Sequence, residues 1–269
     1  MIKLVKQIQN CVLFAIFLGV FNPAFGSTET ILINCNIIDG TGKPVAKNMV
    51  ITIYENKISN IEKGPYKSEG EPNREIIDLK GYYVLPGLWN NHSHLSDLLP
   101  DVNNILGKEN TVSATIRAGR NAMDAIKRGF TSLRSTGSRD YLDVYWGKAF
   151  KEGVFIGPTI YPAGNPIAAV GGHGIDDYAW PATIAINGPK EMRKAVKEHI
   201  RMGVHWIKIM ADELQDNEII AAVQIAHQNN VKVVAHAAEE GAYRAIKACL
   251  LYTSPSPRDR TRSRMPSSA

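Results

Sequence analysis

The stretch that decides the fold is YYVLPGLWNNHSH, residues 82–94, in which an apolar run leads into two histidines separated by one residue. Side chains two positions apart on a β-strand project from the same face. His92 and His94 are therefore expected side by side where the strand ends. Adjacent imidazoles are typical first ligands of a metal centre in a hydrolase. The same spacing also occurs on ordinary solvated strands, so the interpretation depends on the rest of the chain.

From Pro86 onward, strand-like and helix-like segments alternate. Apolar strands are predicted at 130–134, 159–162, 205–210 and 231–236, and helices at about 109–128, 190–202, 216–229 and from 241. Gly129 and Gly203 are the predicted helix stops, and Asp216 is the predicted N-cap of the third helix.

Alternating β and α units with apolar strands indicate a parallel sheet with right-handed crossovers. The fold class is therefore α/β. About five units can be counted before Ala248, which predicts an incomplete (β/α)8 TIM barrel over residues 86–248. An open dinucleotide-binding sheet is disfavoured because no Gly-x-Gly-x-x-Gly follows the first strand.

The segment before the barrel predicts a small β-sandwich-like domain, itself incomplete, over residues 27–85. Its strands are short, and Glu55–Asn56 is a plausible hairpin turn. Cys35 lies in one of these strands. Since Cys11 precedes the mature chain and Cys249 lies in the tail, Cys35 is expected to be a buried small side chain without a disulfide partner.

Residues 1–26 have the three parts of a secretory signal peptide. Lys3 and Lys6 precede an apolar segment at 11–21, and small residues lead to a predicted cleavage before Ser27. The apolar segment is shorter than the roughly 20 residues that span a bilayer. We expect an exported protein, periplasmic or secreted, that is not held in a membrane after cleavage.

The formal charge of +5 does not indicate a nucleic-acid partner. Residues 1–26 carry +2 and residues 249–269 carry +3, so residues 27–248 are neutral. A neutral globular part gives no electrostatic reason to bind polyanions. The expected partner is a small-molecule substrate, and the oligomeric state is left open.

Residues 249–269 differ in composition from the rest of the chain, because they are rich in Ser, Pro and Arg and show no hydrophobic periodicity. One interpretation is a disordered basic tail. The stretch Cys249 to Asp259 also resembles a translated sequencing adapter, which predicts that the natural chain continues past Ala248. As written, the chain is then expected to be inactive and poorly folded, because an open barrel leaves strand edges unpaired.

Two further residues fall where a barrel places catalytic groups. Lys208 lies inside an otherwise apolar strand, where a lone ammonium is costly, and His236 ends the next strand. Each has a structural alternative: Lys208 could reach solvent from a strand edge, and His236 could be a hydrogen-bonded core histidine. Their coincidence with His92 and His94 favours a shared metal site.

With these residues the chain resembles the amidohydrolase superfamily, in its branch of imidazolonepropionase-like and Xaa-Pro dipeptidase-like enzymes. The matching runs are IDGTG at 38–42, VLPGL at 84–88 with His92-Ser93-His94, GFTSLR at 129–134, GPTIYPAG at 157–164, GGHG at 171–174, WIKIM at 206–210 and VAHA at 234–237.

The resemblance implies a divalent metal centre with two zinc ions per complete chain. His92 and His94 would bind one metal, His236 would help bind the other, and Lys208 would bridge them as a carbamate. It also implies hydrolysis of an amide bond in a small dipeptide or N-acyl amino acid through a metal-bound hydroxide.

His173, in the glycine-rich loop, and Arg134, at the end of the second strand, are the candidate substrate-binding residues. Each has a structural alternative: His173 could be an exposed histidine in a plain turn, and Arg134 could form a structural ion pair. The chain departs from the family pattern in that Asn90 and Ser135 stand where Asp is frequent. The family's later histidine and its general acid/base aspartate have no counterpart before Ala248, so the catalytic acid/base is absent from this chain. Alternatives are a mononuclear cyclic-amide hydrolase or deaminase, or a non-catalytic exported barrel protein.

Re-sequencing the source DNA across codon 248 from an unfragmented template tests the interpretation of the tail. We expect the reading frame to continue towards a histidine on a sixth strand and an aspartate near an eighth. A genomic sequence that reads Cys249 to Ala269 would contradict this expectation.

Overall fold

The computed structural model describes residues 29–67, 74–96, 109–172, 175, 183–248 and 252–253. The chain divides into two compact units, residues 1–86 and residues 87–269. The segment interpreted as a signal peptide lies outside the described residues. Within those residues, no helix has both the length and the apolar composition needed to cross a membrane.

The first unit is a five-stranded sheet. Its strands are β1 (Glu29–Ile37), β2 (Ala46–Tyr54), β3 (Lys57–Lys63), β4 (Arg74–Asp78) and β5 (Tyr83–Val84). β1 pairs antiparallel with β2 and parallel with β4 and β5. The predicted turn is confirmed, since Glu55 and Asn56 have φ of 47° and 63°, the left-handed values that a two-residue hairpin requires. Cys35 is fully buried, as predicted.

The second unit alternates strands with helices. Its strands are β6 (Leu88–Ser93), β7 (Phe130–Ser135), β8 (Thr159–Tyr161), β9 (Ile167–Ala169), β10 (Ile184–Ile186), β11 (Trp206–Met210), β12 (Lys232–His236) and β13 (Tyr252–Thr253). Its helices are α1 (Thr111–Lys127), α2 (Leu142–Lys151), α3 (Pro189–Met202), α4 (Asp216–Gln228) and α5 (Glu239–Lys247), with a 3₁₀ turn at Arg139–Tyr141.

All strand pairs in this unit are parallel. They form two sheets, ordered β6-β7-β8 and β10-β9-β11-β12-β13. The predicted α/β class is therefore confirmed. Among the described strands, no pairing closes the two sheets into one barrel, so the barrel remains a prediction.

Helices cover one face of each sheet. Against β7 and β8, the small buried residues of α1 pack on Leu133 and Ile160. Against β11 and β12, side chains of α3 and α4 such as Met192 and Ile219 pack on Ile207 and Val233. Lys208 is buried on β11 but is not part of this apolar cluster, and its partner on β12 is Val234.

The predicted N-cap Asp216 is wrong by one residue. The cap is Gln215, whose side chain and backbone form a reciprocal capping box with Glu218. Asp216 instead occupies the first turn, where a carboxylate interacts favourably with the helix dipole. The predicted stops are confirmed: Gly203 caps α3 in the left-handed conformation, and Gly129 has φ of 88° just after α1.

Close packing of α1 on α2 depends on Gly119. A Cβ there would lie 2.0 Å from Trp146 Cζ2, and that ring is fixed because its Nε1 donates to the Thr115 carbonyl. We expect Gly119→Ala to lower the free energy of unfolding in urea by about 1–3 kcal/mol through overpacking.

Gly147→Ala on α2 is the matched control, since its Cβ would lie 3.4 Å from Ile160 Cβ, an ordinary contact. A helical Gly→Ala change without a clash should be neutral or stabilising by up to about 1 kcal/mol. Equal effects of the two substitutions would contradict the packing argument.

Candidate metal centre

The two histidines of the His-x-His motif lie side by side at the carboxyl end of β6. Their Nε2 atoms are 3.2 Å apart. Two nitrogen ligands of a tetrahedral zinc ion, each about 2.0–2.1 Å from the metal, are separated by roughly 3.3 Å. The pair therefore has the spacing of two ligands to one metal ion.

His94 is oriented by the turn that follows β7. Its Nδ1 lies 3.1 Å from the Gly137 carbonyl oxygen, and its Nε2 lies 3.2 Å from Thr136 Oγ1. Because a carbonyl oxygen only accepts, Nδ1 donates and Nε2 presents its lone pair. This is the arrangement of a metal-binding imidazole held by an outer hydrogen bond.

The electrostatic surroundings of His94 keep its ring neutral. Burial lowers the pKa of His94 to about 3, and the charges of His92, Lys208 and His236 act in the same direction. The hydrogen bond to the Gly137 carbonyl opposes them. A neutral imidazole is the form that binds a metal.

Lys208 is buried in the middle of β11, with 1% of its surface exposed. Its burial, and second the charge of Arg134, lower the pKa of its amine to about 8. His236 ends the neighbouring strand β12, opposite Met210, and its side chain is exposed. Lys208 and His236 thus come close enough to His94 to affect its ionisation.

Arg134 lies inside the unit and not at an open surface. Only 6% of it is exposed, its Nε donates to the Asn91 carbonyl at 2.6 Å, and its guanidinium carbon lies 5.5 Å from the centre of the Trp206 ring. Together with its effect on Lys208, this places Arg134 beside the lysine. Its predicted contact with a substrate stays a prediction.

The structure thus brings some of the predicted site residues closer together than others. His92 and His94 form a close pair, Lys208 and His236 approach them, and His173 lies outside the described residues. Within the described ranges, no three His, Cys, Asp or Glu side chains converge in a metal-binding group. Sequence reasoning did not predict that Thr136 and Gly137 contact His94. The only signal for these contacts in the sequence is a glycine after a strand.

The neutral state of His94 predicts a pH-dependent stability in the metal-free protein. Its pKa falls from 6.5 to about 3 on folding, so below pH 6.5 the unfolded chain binds a proton that the folded chain does not. The free energy of unfolding should therefore fall with decreasing pH, by at most about 1.4 kcal/mol per pH unit.

Urea denaturation between pH 7 and pH 5 measures this slope, in a window above most carboxyl titrations. His94→Gln should remove its share of the slope because the imidazole is gone. Identical slopes in His94→Gln and the unsubstituted protein would show that His94 does not titrate in this way.

Comparison with known proteins identifies the family. Residues 83–250 match the model of the amidohydrolase family. The match covers more than half of the chain, which therefore belongs to this family, as the motifs predicted.

The chain is similar to several named proteins. Ochratoxinase of Aspergillus niger is 26% identical over 256 residues, covering 79% of this chain and 51% of the relative. The crystal structure of a Xaa-Pro dipeptidase with bound methionine has a TM-score of 0.72 and 30% identity, covering 82% of this chain and 60% of that chain. The crystal structure of a prolidase complexed with N-methylphosphonate-L-proline has a TM-score of 0.73 and 26% identity, covering 84% of this chain and 60% of that chain. The chain spans about half the length of the curated relative and three-fifths of these structures.

Proposed function

We propose that this protein is a metal-dependent hydrolase that cleaves the carbon–nitrogen bond of a dipeptide or an N-acyl amino acid. Membership of the amidohydrolase family and likeness to a Xaa-Pro dipeptidase and a prolidase support the reaction class. The observation that carries the proposal is the His92–His94 pair, with Nε2 atoms 3.2 Å apart, near a buried lysine.

The side chains of the candidate site are suitable ligands for divalent metal ions. His92 and His94 would hold one ion, His236 would help hold a second, and Lys208, once carboxylated, would supply oxygen ligands to both. Neutral imidazoles and anionic oxygens suit zinc. The bound metal would supply Lewis-acid activation of the amide carbonyl and of water.

Burial favours carboxylation of Lys208, because it lowers the pKa of the amine. With a pKa of about 8, a sizeable share of its amine is uncharged at mildly alkaline pH. The uncharged Nζ attacks CO2, an N–C bond forms, and a proton leaves the nitrogen for solvent, which yields a carbamate anion. The change replaces a cation near Arg134 by an anion and so converts repulsion into attraction.

We also propose that β6, β7, β8, β11 and β12 are the first five strands of a (β/α)8 barrel, and that residues 27–85 form a β domain before it. The parallel pairing and the intervening helices support the barrel. His94 directly follows β6, and His236 is the last residue of β12. Both therefore lie at the carboxyl ends of strands, where such a barrel usually has its catalytic face. The composition of residues 1–26 supports export through a cleaved signal peptide.

Hydrolysis of a panel of Xaa-Pro dipeptides and N-acyl amino acids, by protein expressed from the re-sequenced gene, tests the function. Activity should be lost on chelation and restored by Zn²⁺. His92→Ala should lower kcat/KM about a thousandfold, since metal activation contributes several kcal/mol. His227→Ala, a histidine change on α4, is the control and should keep the activity. Full activity after chelation would refute the proposal.

The number of bound metals separates the proposed site from the mononuclear alternative. A binuclear site predicts two Zn²⁺ per chain by elemental analysis, and a carbamate signal in ¹³C NMR after incubation with ¹³C-bicarbonate. One Zn²⁺ without a carbamate signal would favour a cyclic-amide hydrolase or deaminase in which Lys208 is structural.

A further inference from the structure

We propose that Asp143 is a positioning residue for His94, acting through the peptide group between Gly137 and Ser138. This inference rests on the proposed function, because it gives Asp143 a part in holding a metal ligand. Asp143 is on α2, contacts neither His92 nor His94 by any hydrogen bond among the described residues, and is fully buried.

The Asp143 carboxyl is surrounded by donors. Its Oδ2 accepts the backbone N–H groups of Ala163 at 2.9 Å and Gly164 at 3.0 Å, and its Oδ1 accepts that of Val144 at 2.9 Å. The Ser135 hydroxyl also donates to it. Burial raises the pKa of the Asp143 carboxyl, and these four hydrogen bonds oppose that rise. A buried carboxyl satisfied in this way fixes the positions of all its donors.

Two of these donors lead to Gly137 and to the peptide group that follows it. Through the first, Ser135 Oγ lies 3.5 Å from the Gly137 nitrogen and accepts from it. Through the second, Gly164, bound to Asp143 by its N–H, accepts from the Ser138 N–H with its carbonyl at 2.8 Å. Gly137 is thus held at its own N–H, and the peptide between Gly137 and Ser138 at the Ser138 N–H, in both cases by groups that Asp143 fixes.

The carbonyl of that peptide is the oxygen that receives His94 Nδ1, at 3.1 Å. Its direction determines which ring nitrogen of His94 carries the proton, and leaves Nε2 as the metal-binding atom. Glycine is required at this position, since Gly137 has φ of 141° and a Cβ would lie 2.6 Å from Pro166 Cγ. The turn therefore connects Asp143 with the His94 ring.

Ser135→Ala tests the link, because it removes one connection and leaves the bonds from Asp143 to Ala163 and Gly164 in place. Ser132→Ala, at a buried serine on the same strand β7, is the matched control. The readout is Zn²⁺ affinity, measured by competition with a chelator. We expect Ser135→Ala to bind Zn²⁺ roughly tenfold more weakly, in line with other outer hydrogen bonds to metal ligands, and Ser132→Ala to bind unchanged. Equal Zn²⁺ affinity in the two variants would overturn the proposal.

A second readout needs no metal. In ¹⁵N-histidine NMR of the metal-free protein, the His94 ring should be protonated on Nδ1, and Ser135→Ala should introduce the other tautomer. An Nδ1–H signal that is unchanged by Ser135→Ala would overturn the proposal. Where Ser135→Ala fails to fold, Ser135→Cys keeps the volume with a weaker donor and replaces it.

The two proposals fail in different ways. If the unsubstituted protein binds no Zn²⁺ and hydrolyses no amide, the proposed function is wrong, and the metal-free ring spectrum still decides the role of Asp143. If it binds Zn²⁺ and hydrolyses an amide while Ser135→Ala matches Ser132→Ala in both readouts, only the positioning role is wrong.

Discussion

The site depends on the register of β6 against β7, in which Ser93 lies opposite Ser135. Parallel strands end at the same edge of a sheet, so this register brings the His-x-His motif to the turn that follows β7. Two bonds secure it: Thr136 N–H donates to the Ser93 carbonyl, and Ser93 Oγ donates to the Arg134 carbonyl. A slip by one residue would turn His92 and His94 to the opposite face of the sheet.

The sequence is informative where chemistry follows from local geometry. The period of a strand places His92 and His94 together without knowledge of the rest of the fold, and the glycines after α1 and α3 fix the ends of those helices. The N-cap of α4 was predicted one residue late, at Asp216 in place of Gln215, because Asp216 is itself a favourable residue in the first turn. The short strands β9 and β10 were not predicted from the sequence.

Other features depend on contacts between distant segments, which sequence reasoning on one chain does not provide. Asp143 lies on a helix face and has no spacing motif. Its connection to His94 exists only because the ends of β7 and β8 meet at the start of α2. Arg134 was a candidate substrate-binding residue because of its place at the end of a strand, and the sequence did not indicate that the fold surrounds it with Asn91, Trp206 and Lys208. The type of a residue and its place on a strand indicate which reaction it could take part in. The neighbouring groups that set its orientation and pKa are determined by the packing of distant segments.

Asp143 and Lys208 show two different solutions for a buried ionisable group. The carboxyl of Asp143 is accommodated by four donors and strengthens the local structure. The amine of Lys208 is buried near the cation of Arg134, and an apolar side chain of similar volume would be expected to stabilise β11 better. A residue that violates local stability rules in this way often serves function. Carboxylation would remove the conflict by changing the sign of the charge at Lys208. On this argument, the carboxylated Lys208 that we propose would be the more stable form of the site, and the free amine its precursor.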